Sequence, residues 1–106
     1  LNEFRDDVID YSGLETYRSY GWQRQLHLFE VPFYYIEYGI AQLGAIGMWM
    51  QYKNNKQLAM DNYCNALALG GTKTLPQLFE TAGLKFDFSP ERIKVLMEFV
   101  KGEMNK

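Results

Sequence analysis

The sequence predicts an all-α chain, and three observations carry that prediction. Apolar residues recur at three- and four-residue intervals along most of its length. Alternation with a period of two is nowhere sustained long enough for a strand. Helix-starting and helix-ending residues fall at the joints between the periodic segments, at Asn54-Asn55-Lys56, Gly70-Gly71, Thr74-Leu75-Pro76-Gln77 and Ser89-Pro90.

Taken in order, residues 1–11 read as a helix with Phe4, Val8 and Tyr11 on its buried side, broken by Ser12-Gly13. Residues 14–20 are ambiguous. Gly21 precedes a short helical turn over 22–29, where Trp22, Leu26 and Phe29 stand at helical spacing. Pro32 then occupies the first turn of a long helix over about residues 32–53, a position that tolerates proline because the first turn needs no backbone donor. Asn54-Asn55-Lys56 supplies a turn and N-cap for a helix reaching about Leu69, whose apolar positions are Leu58, Tyr63, Ala66, Leu67 and Leu69; Gly70-Gly71 ends it. Thr74 and Gln77 match a capping box for a helix carrying Leu75, Leu78, Phe79 and Ala82 and stopping at Gly83. Phe86 and Phe88 flank Asp87 in an extended link. Ser89-Pro90 then starts a last helix with Ile93, Leu96, Met97 and Val100 inward.

The long helix is the most informative element. Tyr34, Tyr38, Ala41, Ala45, Met48 and Tyr52 trace one apolar stripe, Tyr35, Ile46 and Trp49 a second, and Phe33, Ile36, Ile40 and Leu43 a third. A helix apolar nearly all round requires neighbours nearly all round. The remaining segments are too few and too amphipathic to enclose it, so a long buried helix packed with shorter ones is expected to be covered in part from outside this chain. The apolar run 31–50 is also long enough to span roughly 30 Å. Glu37 and Gln42 within it, Glu30 before it and the missing basic anchors on its N-terminal side argue against a membrane span.

A length of 106 residues fits a single domain. With 47% hydrophobic residues and a formal charge of -2, there is no basic excess to attract nucleic acid or an anionic membrane. The single cysteine, Cys64, excludes an internal disulfide and favours a reducing compartment. No signal peptide stands at Leu1, so a cytoplasmic location is expected, and the absent initiator methionine suggests a processed or incomplete chain.

One histidine and one cysteine, 37 residues apart, cannot build a catalytic zinc site without two or more carboxylates, and none stands at a telling spacing. Cys64 reads as a small buried residue in mid-helix. Gly70-Gly71-Thr72-Lys73 lacks the spacing of a phosphate loop and reads as a helix cap, while Asp6-Asp7 reads as a solvated face. What remains is the cluster of His27, Tyr34, Tyr35 and Tyr38. Tyr35 and Tyr38, three apart, would share a face of the long helix. Two readings are open here. In one the groups are core, bonded to neighbouring backbone or Glu37. In the other they donate hydrogen bonds to a substrate carbonyl that gains negative charge during reaction, a task for which tyrosine is a rigid neutral donor.

The run His27-Leu28-Phe29-Glu30-Val31-Pro32-Phe33-Tyr34-Tyr35-Ile36-Glu37-Tyr38, with Trp22 before it and Ala41-Gln42 after, resembles a C-terminal catalytic-domain segment of the oligoendopeptidase F branch of the thimet-type zinc metallopeptidases. Ala66-Leu67-Ala68-Leu69-Gly70-Gly71-Thr72, Leu75-Pro76-Gln77-Leu78-Phe79 and Ala82-Gly83-Leu84 look like the closing helices of that family. The likeness covers most of the chain. It implies that residues 1–106 are the C-terminal portion of a larger helical peptidase fold that hydrolyses oligopeptides. It further implies Tyr38 as oxyanion donor and His27 and Tyr35 as substrate-binding residues. Zinc would be held by an HExxH helix and a later glutamate, none of which is in this sequence, so the chain alone is expected to hold no zinc and cleave no peptide. The partners implied are the oligopeptide substrate, the upstream catalytic region and, for the isolated chain, further copies of itself. The departure of Glu30-Val31-Pro32 from the thimet branch's glycine-bearing loop fits the oligoendopeptidase F branch.

Overall fold

The structure is a computed structural model that describes residues 9–106. Every regular element among the described residues is helical. The chain forms two compact units, the first ending at Ile36 and the second spanning Glu37–Lys106. Of the helix expected over 1–11, residues 9–11 are non-helical, and the remainder, with Asp6-Asp7, lies outside the described residues.

In the first unit, Ser12 donates from its backbone amide and its hydroxyl to the Asp10 carboxylate at 2.9 and 2.6 Å, which closes the turn and holds the Asp10 carboxyl below its ordinary range. Helix α1, Glu15–Tyr20, follows and resolves the ambiguity over 14–20. The turn expected over 22–29 is two pieces, a 3-10 turn Gly21–Arg24 and a single helical turn α2, His27–Glu30, because Gln25 leaves the helical region at ψ 86°. Trp22 and Phe29 still stack across that break at 5.7 Å. No described residue of this unit is buried.

The second unit is built on α3, Ile36–Asn54, followed by α4, Lys56–Leu69, α5, Leu75–Thr81, and α6, Pro90–Met104. The long helix thus starts four residues later than Pro32. Phe33 takes φ +64°, a left-handed conformation that no right-handed helix contains, so the chain turns over 32–35 before α3 begins. The other ends follow their local signals. The Asn55 side chain accepts from the Leu58 amide at 3.1 Å, the Gln77 carboxamide reaches back to the Thr74 amide at 3.1 Å, and Ser89 Oγ accepts from the Arg92 amide at 3.3 Å ahead of Pro90. Gly70 and Gly83 end α4 and α5 at φ +54° and +70°.

Packing in this unit uses small residues and amides more than large side chains. A Cβ on Gly44 would lie 3.0 Å from the Phe79 ring, so the glycine lets α5 press onto α3. Gln51 of α3 donates to the Gly83 carbonyl at 3.2 Å and accepts from Asn62 of α4 at 3.3 Å, tying three helices at one point. Trp49 meets Phe99 edge to face at 4.9 Å, and Lys53 pairs with Glu103 at 2.7 Å. These two contacts advance together along α3 and α6, so the two helices run in the same direction. Phe79, Phe86 and Phe88 form an edge-to-face ladder with centroids 5.1 and 4.8 Å apart, which fastens the extended link to α5.

The inward stripe of α4 differs from the expected one. Ala59 is buried and Asn62, Ala66 and Leu69 are half-buried, whereas Leu58, Tyr63 and Leu67 point outward and are 50%, 47% and 61% exposed. Cys64, expected to be buried, is exposed. Among the described residues, the buried hydrophobic core consists of Ala59, Ala82 and Leu96. Within α3 only Gly47 is buried, so the cover that its all-round apolarity demands is not supplied by α4, α5 and α6. No helix among the described residues is long and apolar enough to cross a membrane.

Candidate functional site

The segment singled out by the sequence is shaped by the turn that follows α2. The Val31 amide donates to the His27 carbonyl at 3.3 Å, closing α2, and the Tyr34 amide donates to the Val31 carbonyl at 3.2 Å, closing a turn through Pro32 and Phe33. Proline suits the turn because its φ is preset and no donor is needed from it. Phe33 bears the cost: its φ of +64° is disfavoured for a side chain with a Cβ, and its ring stands 95% exposed, so no packing repays it in this chain.

The strained turn brings three rings together. The His27 imidazole stacks on Tyr34 with centroids 5.9 Å apart and planes 13° from parallel. Tyr35 lies 6.3 Å from the same imidazole at a tilt of 50°. All three side chains are exposed, with Tyr34 and Tyr35 at 40% and 37%. None of the three belongs to the buried core. Sequence reasoning chose His27 and Tyr35 as binding residues and left Tyr34 aside. Yet Tyr34 makes the more nearly parallel stack. The signal for it is the seven-residue spacing to His27 across a proline, which a helical reading of 32–53 turns away from the imidazole.

Tyr38 stands in the first turn of α3, in the second unit, and is 49% exposed. Tyr35 sits in the turn before α3, so the expectation that Tyr35 and Tyr38 share a face of one helix is not met. The physical reason is again the left-handed residue at 33, which delays the helix past Tyr35.

As an apparatus, an exposed imidazole flanked by two phenols offers hydrogen-bond donors and flat apolar faces to a polar, extended ligand such as a peptide backbone. No three His, Cys, Asp or Glu side chains among the described residues converge in a way that could hold a metal ion.

The second unit carries a different concavity. A groove of about 680 Å³ runs between α3, α4 and α5. Its floor is made by small residues, Ala41, Gly44, Ala45 and Ala66, and its walls by Met48, Tyr63, Leu67, Leu75, Leu78 and Phe79, with Glu37 the charged residue at its edge. A second cleft of about 460 Å³ lies between the C-terminal half of α3, the 83–89 link and α6, and includes Asp87 and Arg92. The backbone amide and the hydroxyl of Ser89, with Arg92 and Lys85 nearby, hold the Asp87 carboxyl below its ordinary range.

Comparison with known proteins returned no family model, no curated protein and no solved structure that matches this chain.

Proposed function

We propose that this chain is the C-terminal portion of the catalytic domain of an oligoendopeptidase F-like zinc metalloendopeptidase, acting on oligopeptides in the cytoplasm. The observation that carries the reading is the exposed cluster of His27, Tyr34 and Tyr35 on the segment where the resemblance is most specific. In this reading His27 and Tyr35 bind the peptide main chain, Tyr34 stacks on the imidazole and limits its rotation, and Tyr38 donates to the carbonyl oxygen as it becomes an oxyanion. Zinc belongs to the full-length enzyme, on residues outside this chain, and the upstream region also covers the exposed apolar sides of α3.

A second reading, a non-enzymatic helical interaction module, is favoured by the apolar groove of the second unit, which needs a partner whether or not catalysis occurs. The two separate in the coding sequence upstream of Leu1, where the peptidase reading expects HExxH and a later glutamate. In the full-length enzyme, Tyr38→Phe should lower turnover by about 10²- to 10³-fold with zinc content unchanged, the usual loss for one oxyanion donor. Unchanged turnover would remove Tyr38 from the catalytic machinery.

A further inference from the structure

We infer that the cleft between the C-terminal half of α3, the 83–89 link and α6 binds a small zwitterion with an apolar side chain, an α-amino acid or a dipeptide, its carboxylate on Arg92 and its ammonium on Asp87. Such a ligand concerns the second unit alone and is decided by binding rather than cleavage, so the peptidase reading neither supports nor requires it.

Two opposite charges are held near each other in this cleft without touching. The Asp87 carboxylate accepts from the Ser89 amide at 2.9 Å and from the Ser89 hydroxyl, and these bonds come before the charges of Arg92 and Lys85 in keeping the carboxyl ionised. The charge of Arg92 therefore reaches Asp87. Yet the two form no ion pair, and the Arg92 guanidinium has no hydrogen-bond partner among the described residues. It lies instead against the bare backbone of Gly47, where a Cβ would sit 3.5 Å from Arg92 Nη2 and 3.2 Å from Leu84 Cδ2. Each charge thus has its own anchor, Ser89 for the carboxylate and α3 for the guanidinium. A half-buried guanidinium with its donors unused is suited to a carboxylate, which it grips with two parallel bonds.

The rest of the lining selects a molecule with both charges. Lys85 and Glu91 add one charge of each sign to those of Arg92 and Asp87. A lone anion or a lone cation therefore meets repulsion along with attraction, whereas a zwitterion sets each of its charges against the opposite one. Met50, Leu84 and Val95 supply an apolar wall beside the charged groups, which suits an aliphatic side chain. The volume of about 460 Å³ lies toward the small end of ligand sites.

The test is a titration of the 106-residue chain with L-leucine and with glycyl-leucine, followed by amide NMR spectra. The expected result is saturable shifts at residues 47–54 and 83–95, with a Kd of about 1 mM or tighter for one of the two. The tighter of them tells the amino acid from the dipeptide. 4-Methylpentanoate lacks the ammonium and isoamylamine lacks the carboxylate, and each should bind at least about 10-fold more weakly than leucine or the dipeptide. Arg92→Gln and Asp87→Asn should each weaken the zwitterion by a similar factor with helix content retained. Lys94→Gln, on the exposed side of α6, should change nothing. Absence of saturable shifts up to about 20 mM of either zwitterion overturns the inference. So does binding that a single-charge analogue or inorganic phosphate matches in the wild-type chain, a result that needs no variant to fold, or binding indifferent to Arg92→Gln.

Discussion

Gly83→Ala tests the point where three helices meet. A methyl group at residue 83 would lie 2.5 Å from Gln51 Nε2 and 2.6 Å from Asn62 Nδ2, so both carboxamides must swing away. That movement forfeits the Gln51 bond to the Gly83 carbonyl and the Asn62 bond to Gln51. Each lost hydrogen bond is worth about 0.5–1.5 kcal/mol. The φ of +70° adds about 1–2 kcal/mol of left-handed strain once a Cβ is present. A stiffer unfolded chain returns about 0.4–1 kcal/mol. The balance is a loss of about 2–3 kcal/mol, or a fall of about 10–20 °C in Tm for a domain of this size. Urea titration followed by far-UV circular dichroism measures it. Gly71→Ala is the control: it has no neighbour within 4 Å of its Cβ position and no positive φ, so it should cost almost nothing. A loss below about 0.5 kcal/mol for Gly83→Ala would refute the claim that this junction holds α3, α4 and the end of α5 together.

Two further perturbations probe α6. Leu96 is 2% exposed at the centre of a thin core, and Leu96→Ala should cost about 2–3 kcal/mol, at the low end for a buried leucine because so little surrounds it; a cost under 1 kcal/mol on denaturant titration would mean α6 is not packed there. Glu103 accepts from Lys106 and pairs with Lys53 of α3, which holds its carboxyl below the ordinary 4.5. A carboxyl depressed in the folded state contributes stability that is complete above pH 4.5 and fades as pH falls through its folded value. Acid unfolding curves of Glu103→Gln should therefore converge with wild type at low pH and fall below it above pH 4.5, and identical curves at every pH would sink this.

The helix ends from Asn55 onward were legible because each rests on a hydrogen bond between residues no more than three apart. Asn55 with Leu58, Thr74 with Gln77 and Ser89 with Arg92 need nothing from the rest of the molecule. The start of α3 was not legible, since Pro32 is equally suited to a helix's first turn and to the tight turn that forms. Only the left-handed backbone at Phe33, a residue with no propensity for it, decides between them. The candidate site suffered accordingly. Its geometry was read on a helix that begins after Tyr35, and the stacking of Tyr34 on His27 was passed over.

The side that each helix turns inward belongs to the tertiary structure. Periodicity in α4 chose Leu58, Tyr63, Ala66, Leu67 and Leu69 as inward; Ala66 and Leu69 are half-buried, but Ala59 and Asn62 take the places expected for Leu58, Tyr63 and Leu67, because Gln51, itself bonded to the Gly83 carbonyl, accepts from Asn62 and small residues permit close approach. The sequence by itself determined an all-α chain, its capped helices and a long helix too apolar to be satisfied alone. Those follow from local hydrogen bonds and from the count of apolar residues, which no folding can alter. Which rings meet His27, and that α3, α4 and α5 leave an apolar groove open, only the tertiary structure decided, because both depend on backbone turns and close approaches between residues far apart in the chain.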